Sequence, residues 1–143
     1  MINILEPTLD YVFKKLFVMK VELLIDLINT VLFIPKNRYI KTVEIKNPEI
    51  LPDHINGKYI ILDIYAIDDT GKIYDIEMQA CKFKYYPKRS LYYISKLYSK
   101  QLNSGQRYDL IEPAIGIHFF NYIEYEDYDD YHFCFEFREQ NHP

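Results

Sequence analysis

Residues 58–79, KYIILDIYAIDDTGKIYDIEMQ, hold two strand-forming runs and two carboxylates, and the remaining chain is arranged around them. The runs 59–67 and 73–80 flank Asp68, Asp69, Thr70 and Gly71, a cluster of the kind that turns a hairpin. Each run carries an acid among apolar and aromatic neighbours, Asp63 in ILDIYA and Glu77 in YDIEMQ. Strand interiors normally avoid such residues, so each acid needs a partner. Alternation puts Asp63, Tyr65 and Ile67 on one face of the first strand and Leu62, Ile64 and Ala66 on the other. On the second strand Asp75, Glu77 and Gln79 lie opposite Tyr74, Ile76 and Met78. Pairing residue 63 with residue 77 brings the two acids onto one face. It leaves residues 68–72 as a loop longer than the tightest turns, or a bulge.

Two neighbouring carboxylates repel, and in a half-buried site one is pushed towards protonation. A divalent cation removes that conflict, and oxygen-only ligands select hard ions such as Mg2+ or Mn2+. Gln79 projects from the same face and can orient a water or a phosphate oxygen. The spacing also fits a second arrangement, which spacing alone favours: Asp63 satisfied by backbone or a lysine, and Glu77 a solvated strand residue.

A length of 143 residues suits one domain with a core of its own, and 49% apolar content excludes a disordered chain. No apolar run reaches the ~18 residues of a membrane span. The opening MINILEPTLD lacks the basic and apolar segments of a secretory signal. Cys81 and Cys134 are too few for a disulfide framework and fit a reduced, cytoplasmic setting. His54, His118, His132 and His142 show no zinc spacing. The net charge of −4 conceals a strong asymmetry. Residues 81–107 carry seven Lys or Arg and no acid, whereas residues 108–143 carry nine acids and Arg138 alone. A basic segment directly after the Glu77 strand is the arrangement expected where phosphate binds beside a cation.

Along the chain, Pro7 and Thr8 predict a helix entry with Thr8 as N-cap, and Val12, Phe13, Leu16 and Phe17 recur at helical spacing. After a break near 18–20, a second helix to about residue 32 presents Leu23, Leu24, Leu27, Ile28, Val31 and Leu32, and Pro35 ends it. Residues 39–45 read as the first strand, followed by a Pro-containing connection over 47–56. Pro87 starts a helix reaching about residue 103 whose core stripe is Leu91, Ile94, Tyr98 and Leu102. The opposite stripe, Arg89, Tyr93, Lys96 and Lys100, suits phosphate contacts, although a solvated face reads the same way. Residues 114–122, AIGIHFFNY, predict a strand buried on both faces, parallel to its neighbour through a crossover. EYEDYDD, 124–130, reads as a solvated acidic loop and YHFCFEF, 131–137, as a last strand.

An Asp on one strand and Glu-x-Gln on the next resembles the PD-(D/E)xK nuclease core, with Gln79 where that motif has Lys. The chain is similar in particular to the Rpn-type recombination-promoting nucleases, often labelled putative transposases. PTLDYVFKKLF (7–17), LIDLINTVL (24–32), VEIKNPEI (43–50), LDIYAIDDTGKIYDIEMQ (62–79), RSLYYISKLYSKQLNSGQRYDL (89–110) and IEPAIGIHFFNY (111–122) carry the likeness in order. It implies an α/β (α+β) restriction-endonuclease-like core, αβββαβ, with a mixed central sheet flanked by helices. It further implies a metal-dependent DNA endonuclease hydrolysing phosphodiester bonds, tied to recombination or mobile elements. Mg2+ or Mn2+ would sit on Asp63, Glu77 and the backbone carbonyl of Met78. Gln79 would orient and donate a hydrogen bond, and the first helix would lend Asp10, whose charge equally suits the helix dipole, or less well Glu22. A positive charge beside the nucleophile would have to come from another residue, such as Arg89 or Lys14. DNA is the implied partner, and nucleases of this type commonly pair as homodimers to cut two strands. Relatives continue further, so residues 1–143 read as a single nuclease core lacking a C-terminal part. The other functions compatible with these residues are an inactive nuclease fold that binds DNA or a protein partner, and a structural domain whose acids are satisfied ion pairs.

Overall fold

The computed structural model describes Glu6 and residues 8–141, so Pro7 and His142 lie outside the described residues. Helix α1, Asp10–Met19, is followed at once by α2, Val21–Val31, with Lys20 capping the first and opening the second. The break therefore falls where it is expected. The N-cap is Leu9 rather than Thr8: the Phe13 N–H donates to the Leu9 carbonyl at 2.9 Å, and no side chain caps the helix. Asp10 stands in the first turn, on the favourable side of the helix dipole.

Strand β1 is Val43–Ile45, and two short strands, β2 (Glu49–Ile50) and β3 (Ile60–Ile61), form a small sheet of their own. Strands β4 (Ile64–Asp68) and β5 (Ile73–Gln79) make the central hairpin, α3 spans Tyr86–Ser99, and β6 is Ala114–Phe120. The four-stranded sheet runs β1-β4-β5-β6, antiparallel except for the parallel β5–β6 pair that α3 connects as a crossover. This is the mixed α/β arrangement that the resemblance implies, with the small β2–β3 sheet inserted.

The β4–β5 register is Ile64↔Ile76 through Ile67↔Ile73, the frame in which residue 63 stands against residue 77. The loop is closed by Asp68: its N–H donates to the Lys72 carbonyl, its Oδ1 accepts from the N–H groups of Thr70 and Lys72, and its Oδ2 accepts from the Tyr74 hydroxyl. Gly71 takes φ +90, a conformation that costs a glycine little.

The sheet is covered on both faces. Phe13, Leu24 and Ile28 from α1 and α2 pack on Ile64, Ala66, Tyr74 and Ile76. On the other face Leu97 of α3 packs with Ile50, Ile60, Leu62 and Ile73. Leu62 thus lies on the face opposite Ile64, not beside it as uninterrupted alternation predicts. The predicted strand 59–67 bends at Leu62 and Asp63, where β3 ends and β4 has not begun, so the period-2 pattern slips by one.

Other expectations are corrected in the same way. In α3 the buried residues are Tyr86 and Leu97, while Leu91 and Tyr98 are about half exposed. The helix is rotated because polar side chains on its inner side, described below, are hydrogen-bonded into the sheet. Leu23 of α2 and Leu16 of α1 are exposed. In β6 only Ile117 is fully buried, because β6 is a sheet edge. Residues 131–137 form no strand; Tyr125 instead packs against the rings of Phe133 and Phe135.

Leu24→Ala should lower the unfolding free energy by about 2–5 kcal/mol in urea titrations, as for other large-to-small changes in a packed core. Leu23→Ala, one residue away on the exposed side, should change it by no more than about 0.5 kcal/mol.

Candidate active site

Asp63 stands at the bend, beyond the last backbone pair of the β4–β5 ladder, yet it remains alongside Glu77. Side chains replace the missing ladder bonds. The Asp63 N–H donates to Glu77 Oε1 at 3.0 Å, and the Met78 N–H donates to Asp63 Oδ2 at 2.9 Å. Each carboxylate thus spends one oxygen on the backbone of the opposing strand and keeps one, Asp63 Oδ1 or Glu77 Oε2, for a cation.

Cations occupy both. Lys14 Nζ lies 2.9 Å from Asp63 Oδ1 and 3.0 Å from Asp10 Oδ1. Arg89 Nη2 donates to Glu77 Oε2 at 3.1 Å, and Gln79 Nε2 approaches the same oxygen at 3.4 Å. Lys14 reaches Asp63 because its neighbour Phe13 seats α1, packing on Phe17 at 4.9 Å and on Phe119 of β6 at 5.8 Å between ring centroids. Arg89 is held by its guanidinium lying over Tyr86 and Tyr93, 5.1 and 5.3 Å from their centroids. Tyr86 is itself tied down: its hydroxyl hydrogen-bonds His118 Nδ1 at 2.9 Å, and Ser90 Oγ hydrogen-bonds His118 Nε2 at 2.7 Å. Gly116 makes room for that imidazole, since a Cβ there would stand 2.5 Å from Nε2.

A family model described as PD-(D/E)XK nuclease family transposase matches residues 7–142. The chain belongs to this family. No curated protein and no solved structure matches it. Membership in this nuclease family suggests a nuclease or mobile-element role, with DNA as the implied substrate and divalent metals as the usual cofactors of such enzymes. No helix among the described residues is long and apolar enough to cross a membrane.

Of the residues expected at the nuclease site, Asp63, Glu77 and Gln79 converge, and Asp10 joins them through Lys14. Met78 contributes its N–H. In a strand the carbonyl of a residue points to the same side as its N–H, so the Met78 carbonyl also faces Asp63. Arg89 and Tyr93 border the carboxylates. Lys96 and Lys100 do not: Lys96 pairs with Asp53, and Lys100 donates to the Leu51 carbonyl with Asp53 Oδ1 3.8 Å away.

Asp75 was not singled out beyond its place on the Glu77 face, and the structure gives it unusual surroundings. It is fully buried beside Glu77, and no N–H group donates to either of its carboxylate oxygens. Burial, then the charge of Glu77, raises its pKa well above the ordinary 3.8. Glu77 is raised too, by burial and then by Asp63, against the opposing pull of the Asp63 N–H and Arg89. Burial alone would lower Lys14, but its contacts with Asp63 and Asp10 outweigh that and raise it. Burial, and then Arg89, lowers His118 to about 4, so the imidazole is neutral between its two hydroxyl partners.

This donor set fits a hard divalent ion. The available atoms are oxygens, Glu77 is buried and Asp63 half-buried beside it, and a cation between them would relieve both the burial of Glu77 and the repulsion of the pair. Among the described residues no three His, Cys, Asp or Glu side chains converge on one point. The protein share of such a site would be Asp63, Glu77 and the Met78 carbonyl, leaving the other positions to water and substrate, as Mg2+ prefers.

The Asp75 carboxyl gives a pH dependence of definite sign. The unfolded chain loses this proton near the ordinary value while the folded chain keeps it, so the native state is progressively disfavoured as pH rises above that value. Asn cannot ionise. The stability of Asp75→Asn relative to wild type should therefore rise as the pH is raised above the ordinary carboxylate range in denaturant titrations. His118 is present in both proteins, so its opposite contribution below pH 6.5 cancels in the difference.

Proposed function

We propose that the protein is a metal-dependent DNA endonuclease that hydrolyses phosphodiester bonds in recombination or in the movement of mobile elements. The reciprocal pair of carboxylate-to-backbone hydrogen bonds between Asp63 and Glu77 carries this reading. It fixes two acids side by side with one oxygen each turned towards cations, which a pair of solvated strand residues has no need to do.

Asp63, Glu77 and the Met78 carbonyl would hold Mg2+ or Mn2+. Such an ion, when bound, acidifies a water and neutralises charge on the scissile phosphate. Gln79 would position a water or phosphate oxygen through its amide. Arg89, fixed over two rings, presents a planar fork suited to phosphate beside the acids. Tyr93 supplies the face under it. Lys96 lies in the last turn of α3 and Lys100 caps its C-terminus, where a DNA backbone leaving the site would pass. Their partner Asp53 is half exposed, and surface ion pairs of this kind are worth about 0–1 kcal/mol, so exchanging it for phosphate costs little.

Gln79 in place of a lysine favours one other reading, an inactive nuclease fold that binds DNA or a protein. Nicking of supercoiled plasmid separates the two. With Mg2+ or Mn2+ the wild type should nick, EDTA should abolish nicking, and Asp63→Ala and Glu77→Ala should each lose about 100-fold or more, the scale of removing a preorganised charge-stabilising group. DNA binding that needs no metal and survives both substitutions, without cleavage, would establish the inactive reading instead.

The helix contacts have a separate signature. Lys100→Ala should weaken DNA binding about equally across sequences and reduce the slope of log affinity against log salt by about 1. A slope equal to that of the wild type would remove Lys100 from the DNA path.

A further inference from the structure

We propose that Lys14, on the outer helix α1, is the catalytic cation of this centre, stabilising the negative charge that builds on the scissile phosphate beside Asp63. The inference rests on the endonuclease reading above and names the residue that supplies its missing charge. Hydrolysis adds the oxygen of a water to phosphorus and breaks one P–O ester bond. One water proton ends on the departing alcohol, and the other stays on the new phosphomonoester or passes to solvent. Negative charge accumulates on the phosphoryl oxygens meanwhile, and a fixed positive group next to them is worth most in such a site.

The strand cannot provide that group. Residue 79 is a neutral glutamine, and the oxygen its side chain approaches, Glu77 Oε2, is already taken by Arg89 at 3.1 Å. A cation at position 79 would stand against the Arg89 guanidinium. Arg89 in turn is stacked over Tyr86 and Tyr93 and paired with Glu77, so any phosphate oxygen it meets lies on the Glu77 side and not beside Asp63. Lys14 is the cation on the other side. Its ammonium touches the outward oxygen of Asp63 at 2.9 Å, and Asp10, one turn earlier on the same helix, holds it at 3.0 Å. The Lys14 side chain is about one-third exposed and Asp10 more so, which leaves the flexible stem free to turn from Asp63 to a phosphate oxygen while Asp10 keeps it nearby. Lys14 exchanges no proton in this role. Asp10 then acts as a positioning residue for Lys14 rather than as a ligand.

The test compares wild type, Lys14→Gln and Lys14→Arg in two measurements, plasmid nicking and calorimetric titration with Mn2+, with melting curves to confirm folding. Lys14→Gln should nick about 100-fold more slowly. Its Mn2+ affinity should be equal to or a few-fold tighter than wild type, because a competing ammonium has left Asp63. Lys14→Arg, which keeps a charge on the same helix position, should be intermediate in nicking. Nicking by Lys14→Gln within about threefold of wild type would overturn the proposal, since a lost charge-stabilising group costs far more. So would a loss of nicking matched by an equal loss of Mn2+ affinity, which is what a purely structural lysine predicts. Failure of the wild type itself to nick DNA would instead sink the endonuclease reading on which the role depends.

Discussion

The exchange of hydrogen bonds between Asp63 and Glu77 and the backbones of the opposing strands is the constraint on which the rest of the site depends. A strand that bends away from its neighbour leaves backbone groups unpaired, and buried groups of that kind cost about 1–3 kcal/mol each. Here two carboxylates fill the gap, so the bend and the acids explain one another. Asp63 can leave the ladder because Glu77 accepts from its N–H, and Glu77 is fixed because Asp63 holds the other side. Replacing either acid by an apolar residue would free a backbone donor as well as remove a charge. The geometry of the site is therefore written into the hairpin and does not depend on a separate loop.

The cations that complete the site come from opposite layers of the molecule. Lys14 belongs to the helix layer built on Phe13, Leu24 and Ile28, and Arg89 to the layer built on Leu97. They meet the acids only when both layers are docked on the same sheet. Buried charge is expensive unless matched, and matching it from two independent elements ties the chemistry to complete folding. The neutral His118 serves the same end on the α3 side. Its two hydroxyl partners, Tyr86 and Ser90, lie on the residues flanking Arg89 along the inner side of the helix, which orients the guanidinium without adding a charge next to it.

The hairpin was legible in the sequence because alternation, the Asp and Gly turn chemistry and the two misplaced acids all demanded one register, and the register found is that one. Alternation failed at Leu62 for a local reason: the bend resets the period within a run that reads as continuous. The face of α3 failed for another. Counting apolar residues favoured Leu91 and Tyr98, but the inner side of the helix is held by Tyr86, Ser90 and Arg89, whose attraction to the sheet is polar and depends on partners 12 to 32 residues away. The YHFCFEF run alternates, yet it pairs with neither edge of the sheet and forms no strand. Lys14 was legible only as one of two candidate cations, with Arg89. Its spacing of four from Asp10 was visible, but contact with Asp63 depends on how α1 is rotated and seated, which no local pattern encodes. Asp75 was the reverse case, since the period-2 pattern already put it on the Glu77 face, and its isolation from every N–H donor was the part only the structure could supply.

Charge balance gives Gln79 a physical reason. Burial pushes Asp75 towards its protonated form, and the acids that meet cations at the centre are Asp63, held by Lys14, and Glu77, held by Arg89. The count is even. A lysine at position 79 would bring a third positive group to an oxygen that already accepts from Arg89, where repulsion between the two cations would offset the attraction to Glu77. An amide makes the same approach and adds no charge. The neutral residue at the third motif position and the two cations delivered by the helices are then one arrangement, in which charge that a strand residue might have carried is supplied by side chains reaching in from α1 and α3.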